Sequence, residues 1–218
     1  MKLAIISALF FLLVPSALAE VQEADTSNLN FASLSVPFFV QAPLGNWSWP
    51  WEDFCEEASS VMAHAYVTGR IPNQLEAAYS MLEVAIFELK TFGIEKDTNL
   101  DLTRRILNEY FHDASTSIVE NPTAEVIRNE IRQGNIVLVP VAGRLLHNPY
   151  FVHPGPRYHM VLVKGFDHDQ FIVNEPGTRR GDGLRYSEAT LMNAMHDLVP
   201  DSQTILSGRK AILVVQKS

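Results

Sequence analysis

Cys55 is the residue of this chain whose chemistry most needs an explanation. It is the single cysteine of the 218-residue sequence, so an internal disulfide is excluded. A capping box formed by Asp53 and Glu56 predicts a helix that begins at Asp53. Cys55 then lies near the second helical position, where free backbone N–H groups and the helix dipole lower a thiol pKa. The position favours a reactive thiol over the alternative, a buried structural cysteine.

The acidic neighbours of Cys55 oppose formation of a thiolate. Nearby negative charge raises the pKa of a thiol. The carboxylates that flank the cysteine in sequence are Glu52, Asp53, Glu56 and Glu57. A helix N-terminus alone therefore does not suffice, and we expect a cationic histidine as the partner of Cys55.

Among the seven histidines, His159 has the most suitable context. It opens an apolar strand, and the next strand ends in Asn174 and Glu175, each of which can orient an imidazole through its second nitrogen. Successive strand residues face opposite sides of a sheet, so only one of the two should reach His159. Both stay candidates, and either needs a bulge or an offset register in the hairpin. The alternative is that His159 is a hydrogen-bonded core histidine.

A metal site is the weaker interpretation of the histidines. His147, His153 and His159 are spaced six residues apart. This spacing is neither the helical i, i+4 pattern nor that of a tight hairpin. We predict no metal and no cofactor.

The composition indicates a folded protein with an acidic surface. Hydrophobic residues make up 47% of the chain and charged residues 19%, with a net charge of −8. The apolar content suffices for one packed domain and excludes disorder as the main state. Negative charge repels phosphate backbones, so we expect no nucleic-acid partner.

Residues 1–19 predict a signal peptide. A basic start precedes an apolar run that is shorter than the ~20 residues of a membrane span, and Ala17 and Ala19 supply the small-residue pattern before Glu20. This predicts cleavage after Ala19 and a secreted or periplasmic protein without a membrane span in the mature chain. A single membrane anchor is the alternative. Residues 20–35 are predicted to form a flexible lead-in to a domain over 36–218.

Helical patterns precede strand patterns along the domain. This order is typical of the α+β class, with helices on one side of an antiparallel sheet. A hairpin is expected with its turn at 168–169. Apolar periodicity predicts helices over 53–68, 73–92, 102–111, 122–133 and 187–198, and strands over 36–41, 136–141, 159–163, 171–173 and 211–215.

Four segments together resemble one family. They are VPFFVQ at 36–41, CEEA at 55–58, YHMVLVKGFD at 158–167 and FIVNEPGT at 171–178. In order and spacing they are similar to the papain-like cysteine peptidases of family thirty-nine. These bacterial enzymes are best known for trimming bacteriocin leaders, and this chain resembles their secreted, stand-alone branch. The resemblance implies the papain-like fold.

The resemblance also implies roles for particular residues. Cys55 is the nucleophile, His159 the general base and acid, and Gln41 donates from its side-chain amide into the oxyanion hole beside the Cys55 N–H. The family usually has Asp before the Pro, where Glu175 stands here, while Asn174 could serve as the papain-type amide. Gln41 lies 14 residues before Cys55, farther than in the family, and Glu56 stands where many members have Gly.

Two neighbouring segments have simpler interpretations. The insert between Gln41 and Cys55 carries all three tryptophans, which predicts a lid packed on the domain; a substrate platform is the alternative. Residues 179–183 predict a solvated turn.

The leading hypothesis is an extracytoplasmic cysteine peptidase that acts on a peptide or protein substrate. Two other classes stay open. One is an amide hydrolase or transferase acting on cell-wall peptides, because fold does not fix function. The other is a secreted binding domain of the same fold without catalytic activity.

Overall fold

The computed structural model describes residues 30–94, 96–112 and 115–217. The predicted signal peptide and residues 20–29 of the predicted lead-in lie outside the described residues. No helix of the described residues has the length and apolar character needed to cross a membrane. The strands are β1 (Phe31–Ser33), β2 (Ser115–Glu120), β3 (Ile136–Val141), β4 (His159–Asp167), β5 (Gln170–Asn174), β6 (Leu184–Ser187) and β7 (Ala211–Gln216).

All helices of the described residues lie between β1 and β7 in the sequence. Shorter turns of 3-10 helix cover Trp51–Asp53, Gly143–Leu146 and Ser202–Ser207, and a π-helical turn covers Ile106–Phe111. The α-helices are α1 (Cys55–Thr68), α2 (Gln74–Phe92), α3 (Leu100–Arg105), α4 (Ala124–Arg132) and α5 (Glu188–Ala194).

The strands form one antiparallel sheet in the order β2-β7-β3-β4-β5-β6, and β1 pairs with the far end of β4. Since α1, α2 and α3 precede every strand except the short β1, the predicted α+β class is confirmed. Gly165 permits the close pairing of β1 with β4, because any side chain there would collide with the Ala32 carbonyl.

Both faces of the sheet are covered, so the prediction of helices on one side alone is wrong. On one face, Met160 and Leu162 of β4 pack in a cluster with Met62 of α1. On the other, Val161 lies in a cluster with Ile127 of α4. Every residue of β3 is buried, which is the pattern of a strand that has both faces covered.

The predicted strand over 36–41 is wrong. Pro37 has no N–H to donate, and the carbonyls of Val36 and Pro37 accept hydrogen bonds from the Asn174 side chain rather than from a neighbouring strand. The segment ends at Gln41, whose N–H donates to the Pro176 carbonyl at 3.0 Å. It therefore connects β1 to the end of β5.

The hairpin of β4 and β5 has its turn at His168 and Asp169, as predicted. Its pairing register shifts between Val163 and Gly165, which is the irregularity that the sequence required. Beyond the shift, Leu162 lies opposite Asn174. This register fixes which residues near the end of β5 lie beside His159.

Candidate active site

Cys55 is the first residue of α1 and is buried. The predicted capping box is wrong, because Phe54 occupies the cap position without a side-chain hydrogen bond and Asp53 belongs to the preceding 3-10 turn. The Glu56 side chain points inward instead of back to the cap. The thiol still lies at a helix N-terminus, where the first backbone N–H groups have no intrahelical acceptor.

The immediate partner of the thiol is a buried carboxyl group. Cys55 Sγ donates to Glu56 Oε2 at 2.9 Å, and Glu56 Oε1 accepts the N–H of Thr98 at 2.7 Å. Burial raises the pKa of the Cys55 thiol well above its usual value, and the charges of Glu56 and Asp97 raise it further. The surroundings of Cys55 therefore favour the thiol over the thiolate.

Glu57 of α1 and Glu88 of α2 are two further buried carboxyl groups in this acidic region. Burial raises the pKa of Glu56 and of Glu57 well above the usual range, and it raises that of Glu88 to about 7. A carboxyl group in such surroundings is stabilised in its neutral form. Neutral acids can therefore surround the thiol without a full negative charge at each position.

His159 is the first residue of β4, and Glu175 holds its ring. Nε2 of His159 hydrogen-bonds Glu175 Oε1, which also accepts the N–H of Gly177 at 2.9 Å. The other oxygen, Oε2, accepts the hydroxyl of Tyr186 at 3.0 Å. Since Nε2 is engaged in this way, Nδ1 is the ring nitrogen left for proton transfer with a thiol.

Asn174 lies on the opposite face of the strand end. Its Nδ2 donates to the Pro37 carbonyl at 3.0 Å and to the Val36 carbonyl at 3.4 Å. The structure thus brings Glu175, and not Asn174, into contact with His159. Asn174 instead holds the segment that leads to Gln41.

Gln41 is buried at the same site, but its amide is already bonded. Nε2 donates to the Trp51 carbonyl at 3.0 Å and to the Glu52 carbonyl at 2.8 Å. An amide nitrogen carries two hydrogens. Gln41 must therefore release one carbonyl before it can donate to a substrate oxygen.

Cys55, His159 and Gln41 line one cavity of about 600 Å³. One wall is acidic and contains Asp53 and Asp97. Burial raises the pKa of Asp97 to about 6; the neighbouring Asp53 also raises it and His159 lowers it. The cavity has the size typical of sites for small ligands or peptide side chains.

Metal ligation has one geometric candidate among the described residues. Cys55, Glu56 and Asp97 offer ligand atoms that lie within 4.8 Å of one another. Two members of this group, Cys55 and Glu56, are already joined by a hydrogen bond. His147 and His153 line a different depression from the one that contains His159.

Comparison with known proteins identifies the family. The family model described as the Peptidase_C39 like family matches residues 33–196. The chain belongs to this family. The crystal structure of a presumed C39-like peptidase from Bacillus anthracis matches with a TM-score of 0.55 and 12% identity, covering 84% of this chain and 96% of that chain. No curated protein matches the chain. The resemblance inferred from the four segments and the expected C39-like fold are confirmed.

Two residues that support the candidate site could not be predicted from the sequence. Tyr186 of β6 donates to Glu175, and Asn148 Nδ2 donates to the Tyr186 hydroxyl at 2.8 Å. Both residues lie outside the four segments that carry the resemblance. Nothing in the sequence around Tyr186 distinguishes this hydrogen-bonding role from ordinary core packing.

The predicted tryptophan lid is correct for one residue only. Trp51 is buried and packs edge-on against Phe54 with ring centroids 5.2 Å apart. Trp47 and Trp49 are exposed. Trp47 lines the cavity that contains Cys55, so at this position the lid prediction is wrong and the platform alternative fits better.

Glu56→Gln should make Cys55 more reactive. The glutamine can still accept the Thr98 N–H while its amide donates to Sγ, so the variant removes negative charge beside the sulfur. We expect alkylation by iodoacetamide at pH 8 to accelerate roughly tenfold, because the thiol pKa should fall when this charge is removed. Because burial also raises the Glu56 pKa, the difference should be small at pH 5 and grow as pH rises.

Glu52→Gln is the matched control, since Glu52 is exposed at the cavity rim. This control should label at nearly the wild-type rate. Equal or slower labelling of Glu56→Gln would show that the Glu56 charge does not restrain the thiol.

Proposed function

We propose that this member of the C39-like family is an extracytoplasmic cysteine peptidase that hydrolyses peptide bonds. One observation carries the proposal. Cys55 and His159 line the same cavity, while Glu175 engages the Nε2 of His159 and leaves Nδ1 for the thiol. A thiol nucleophile needs such an oriented base. The extracytoplasmic location is supported by the signal-peptide pattern of residues 1–19.

The reaction would proceed through a thioester. Nδ1 of His159 takes the Cys55 proton, and the thiolate attacks the scissile carbonyl to form the C–S bond. The imidazolium then protonates the leaving amine as the C–N bond breaks. Water, deprotonated by His159, hydrolyses the thioester and restores the free thiol. Glu175 stabilises the imidazolium formed at each stage.

The direct test is hydrolysis of a fluorogenic peptide library by the mature chain. We expect turnover that a thiol-directed inhibitor abolishes, and mass spectrometry of the exported protein should find Glu20 at its N-terminus. Cleavage that survives complete alkylation of Cys55 would exclude the proposed nucleophile. Retention of residues 1–19 would contradict the signal-peptide part of the proposal.

A catalytically inactive binding domain is the second candidate, and the surroundings of Cys55 favour it. A buried thiol that donates to a carboxyl group, with its pKa raised, is a poor nucleophile by itself. The two candidates differ in the behaviour of Cys55 near neutral pH. Rapid labelling by a thiol-reactive activity probe supports the peptidase, and labelling only after denaturation supports the binding domain.

Gln41→Ala should lower kcat by about 10² with little change in KM, the usual effect of losing one oxyanion donor. Donation to an oxyanion develops only in the transition state, so ground-state binding is spared. Steady-state kinetics measures both constants. If Gln41 serves only to hold the Trp51–Glu52 turn through its two carbonyl contacts, the variant should instead lose thermal stability and raise KM while kcat stays near the wild-type value.

A further inference from the structure

A second depression adjoins the cavity that contains Cys55 and His159. It has a volume of about 390 Å³ and shares Trp47, Val152 and Gly177 with that cavity. Its remaining walls are lined by Tyr150, Thr178, Arg179 and Arg180. We name it the arginine depression. Because three lining residues are common to both, an extended ligand in the cavity can continue into the arginine depression.

Part of the wall of the arginine depression is apolar and open to solvent. Val152 is 92% exposed, Tyr150 42% and Trp47 39%. Exposed apolar side chains that cluster in one concave surface mark binding sites more often than inert surface. This wall suits an apolar side chain of a ligand.

The two arginines have no acidic partner among the described residues. The guanidinium of Arg179 packs against Gly45, where any side chain would collide with it. The guanidinium of Arg180 lies over the Tyr150 ring, 5.1 Å from its centroid. Within the described part of the chain neither forms an ion pair, whereas Arg128 does. Two arginines that line one depression and have no acidic partner among the described residues are suited to bind a carboxylate.

The arginine depression lies on the His159 side of the cavity. A side chain at Gly177 would lie 3.0 Å from His159 Cε1. The wall that the cavity and the depression share at Gly177 therefore lies beside the imidazole ring. The acidic residues Asp53 and Asp97 line only the cavity and not the depression. In thiol catalysis the histidine protonates the leaving amine, so the leaving half of a substrate extends past this ring.

We propose that the arginine depression binds the leaving half of the peptide substrate, with an apolar side chain against Trp47 and Val152 and a carboxylate on Arg179 and Arg180. The proposal rests on the proposed peptidase function. It predicts a preference for peptides that carry an apolar residue and a carboxylate after the scissile bond. That carboxylate can be an acidic side chain or the free C-terminus.

The test measures peptide binding to Cys55→Ala by fluorescence anisotropy. The probes are fluorescent peptides of one fixed library sequence, with Leu-Glu or Leu-Gln in the half expected to follow the scissile bond and with a free or an amidated C-terminus. We expect the preferred carboxylate to tighten binding about tenfold or more. The Glu–Gln pair and the free–amidated pair separate the two sources of the carboxylate.

The arginines are tested by Arg179→Gln/Arg180→Gln in the same background. This double variant should lose the carboxylate preference and keep its affinity for the uncharged peptide. Arg70→Gln/Arg104→Gln removes the same number of charges from exposed positions and should keep the preference. Equal binding of charged and uncharged peptides, or an equal loss in the control, overturns the proposal.

Two outcomes separate this proposal from the peptidase function. If the peptides bind with the arginine-dependent preference and the wild-type protein cleaves none of them, the depression is a binding site and the peptidase function fails. If the wild-type protein cleaves them with no preference for a carboxylate after the scissile bond, the peptidase function stands and the role of the arginine depression fails.

Discussion

Cys55→Ala should retain the fold and lose peptide hydrolysis, with kcat/KM falling by roughly 10⁴-fold or more, as when other hydrolases lose their nucleophile. No other side chain of the chain can replace it, because Cys55 is the sole cysteine. The side chain is buried but small, so we expect a stability cost of about 1 kcal/mol. Hydrolysis of the best library peptide and thermal denaturation measure the two effects separately.

The single cysteine also makes the chemical experiment specific. Any thiol label on the folded protein reports on Cys55 alone, so labelling stoichiometry and loss of activity can be compared directly. The loss of activity should rise in step with labelling, one modified thiol for each inactivated molecule. Full turnover by Cys55→Ala on a peptide that the wild-type protein cleaves would exclude Cys55 as the nucleophile.

The sequence predicted the components of the candidate site better than their contacts. His159, Asn174 and Glu175 follow from the alternation of apolar strands and from the family resemblance, and the structure contains the hairpin that connects them. The choice between the last two depends on a register shift between Val163 and Gly165. β4 pairs with β3 before this shift and with β1 from Gly165 onward, and both partner strands lie far away in the sequence.

The surroundings of Cys55 were the hardest part to predict. A Ser, Thr, Asp or Asn followed three residues later by Glu is typical of a capping box, but Glu56 turns inward to Cys55 and Thr98 instead. Thr98 lies 42 residues further along the chain, so the local pattern contains no sign of it. Packing against a distant segment decides the outcome here.

The prediction of Gln41 shows a similar limit. The resemblance identifies the residue, and the structure places it on the wall of the cavity with Cys55. Its amide, however, is bonded to the carbonyls of a 3-10 turn that the sequence did not predict. The sequence can therefore indicate that Gln41 is close to the nucleophile, but not which atoms it contacts in the free protein.

Asn174→Ala provides the comparison for the role of Glu175. Removal of the amide leaves the carbonyls of Val36, which is buried, and Pro37, which is partly buried, without this donor, which costs about 1–3 kcal/mol of stability. The variant should melt at a lower temperature. Below that temperature it should keep most of its kcat, with both limbs of the pH–rate profile at the wild-type positions, because no charge beside His159 has changed.

Glu175→Gln should lower kcat by about 10³-fold, far more than Asn174→Ala, because the wrong hydrogen-bond partner misorients a catalytic imidazole. The glutamine is nearly isosteric with Glu175, so the fold should survive. Only the carboxylate stabilises the imidazolium by charge. Without it the imidazolium loses its proton more readily, and the basic limb of the pH–rate profile should move to lower pH. An unmoved limb, with Asn174→Ala as the more damaging change, would assign the orienting role to Asn174.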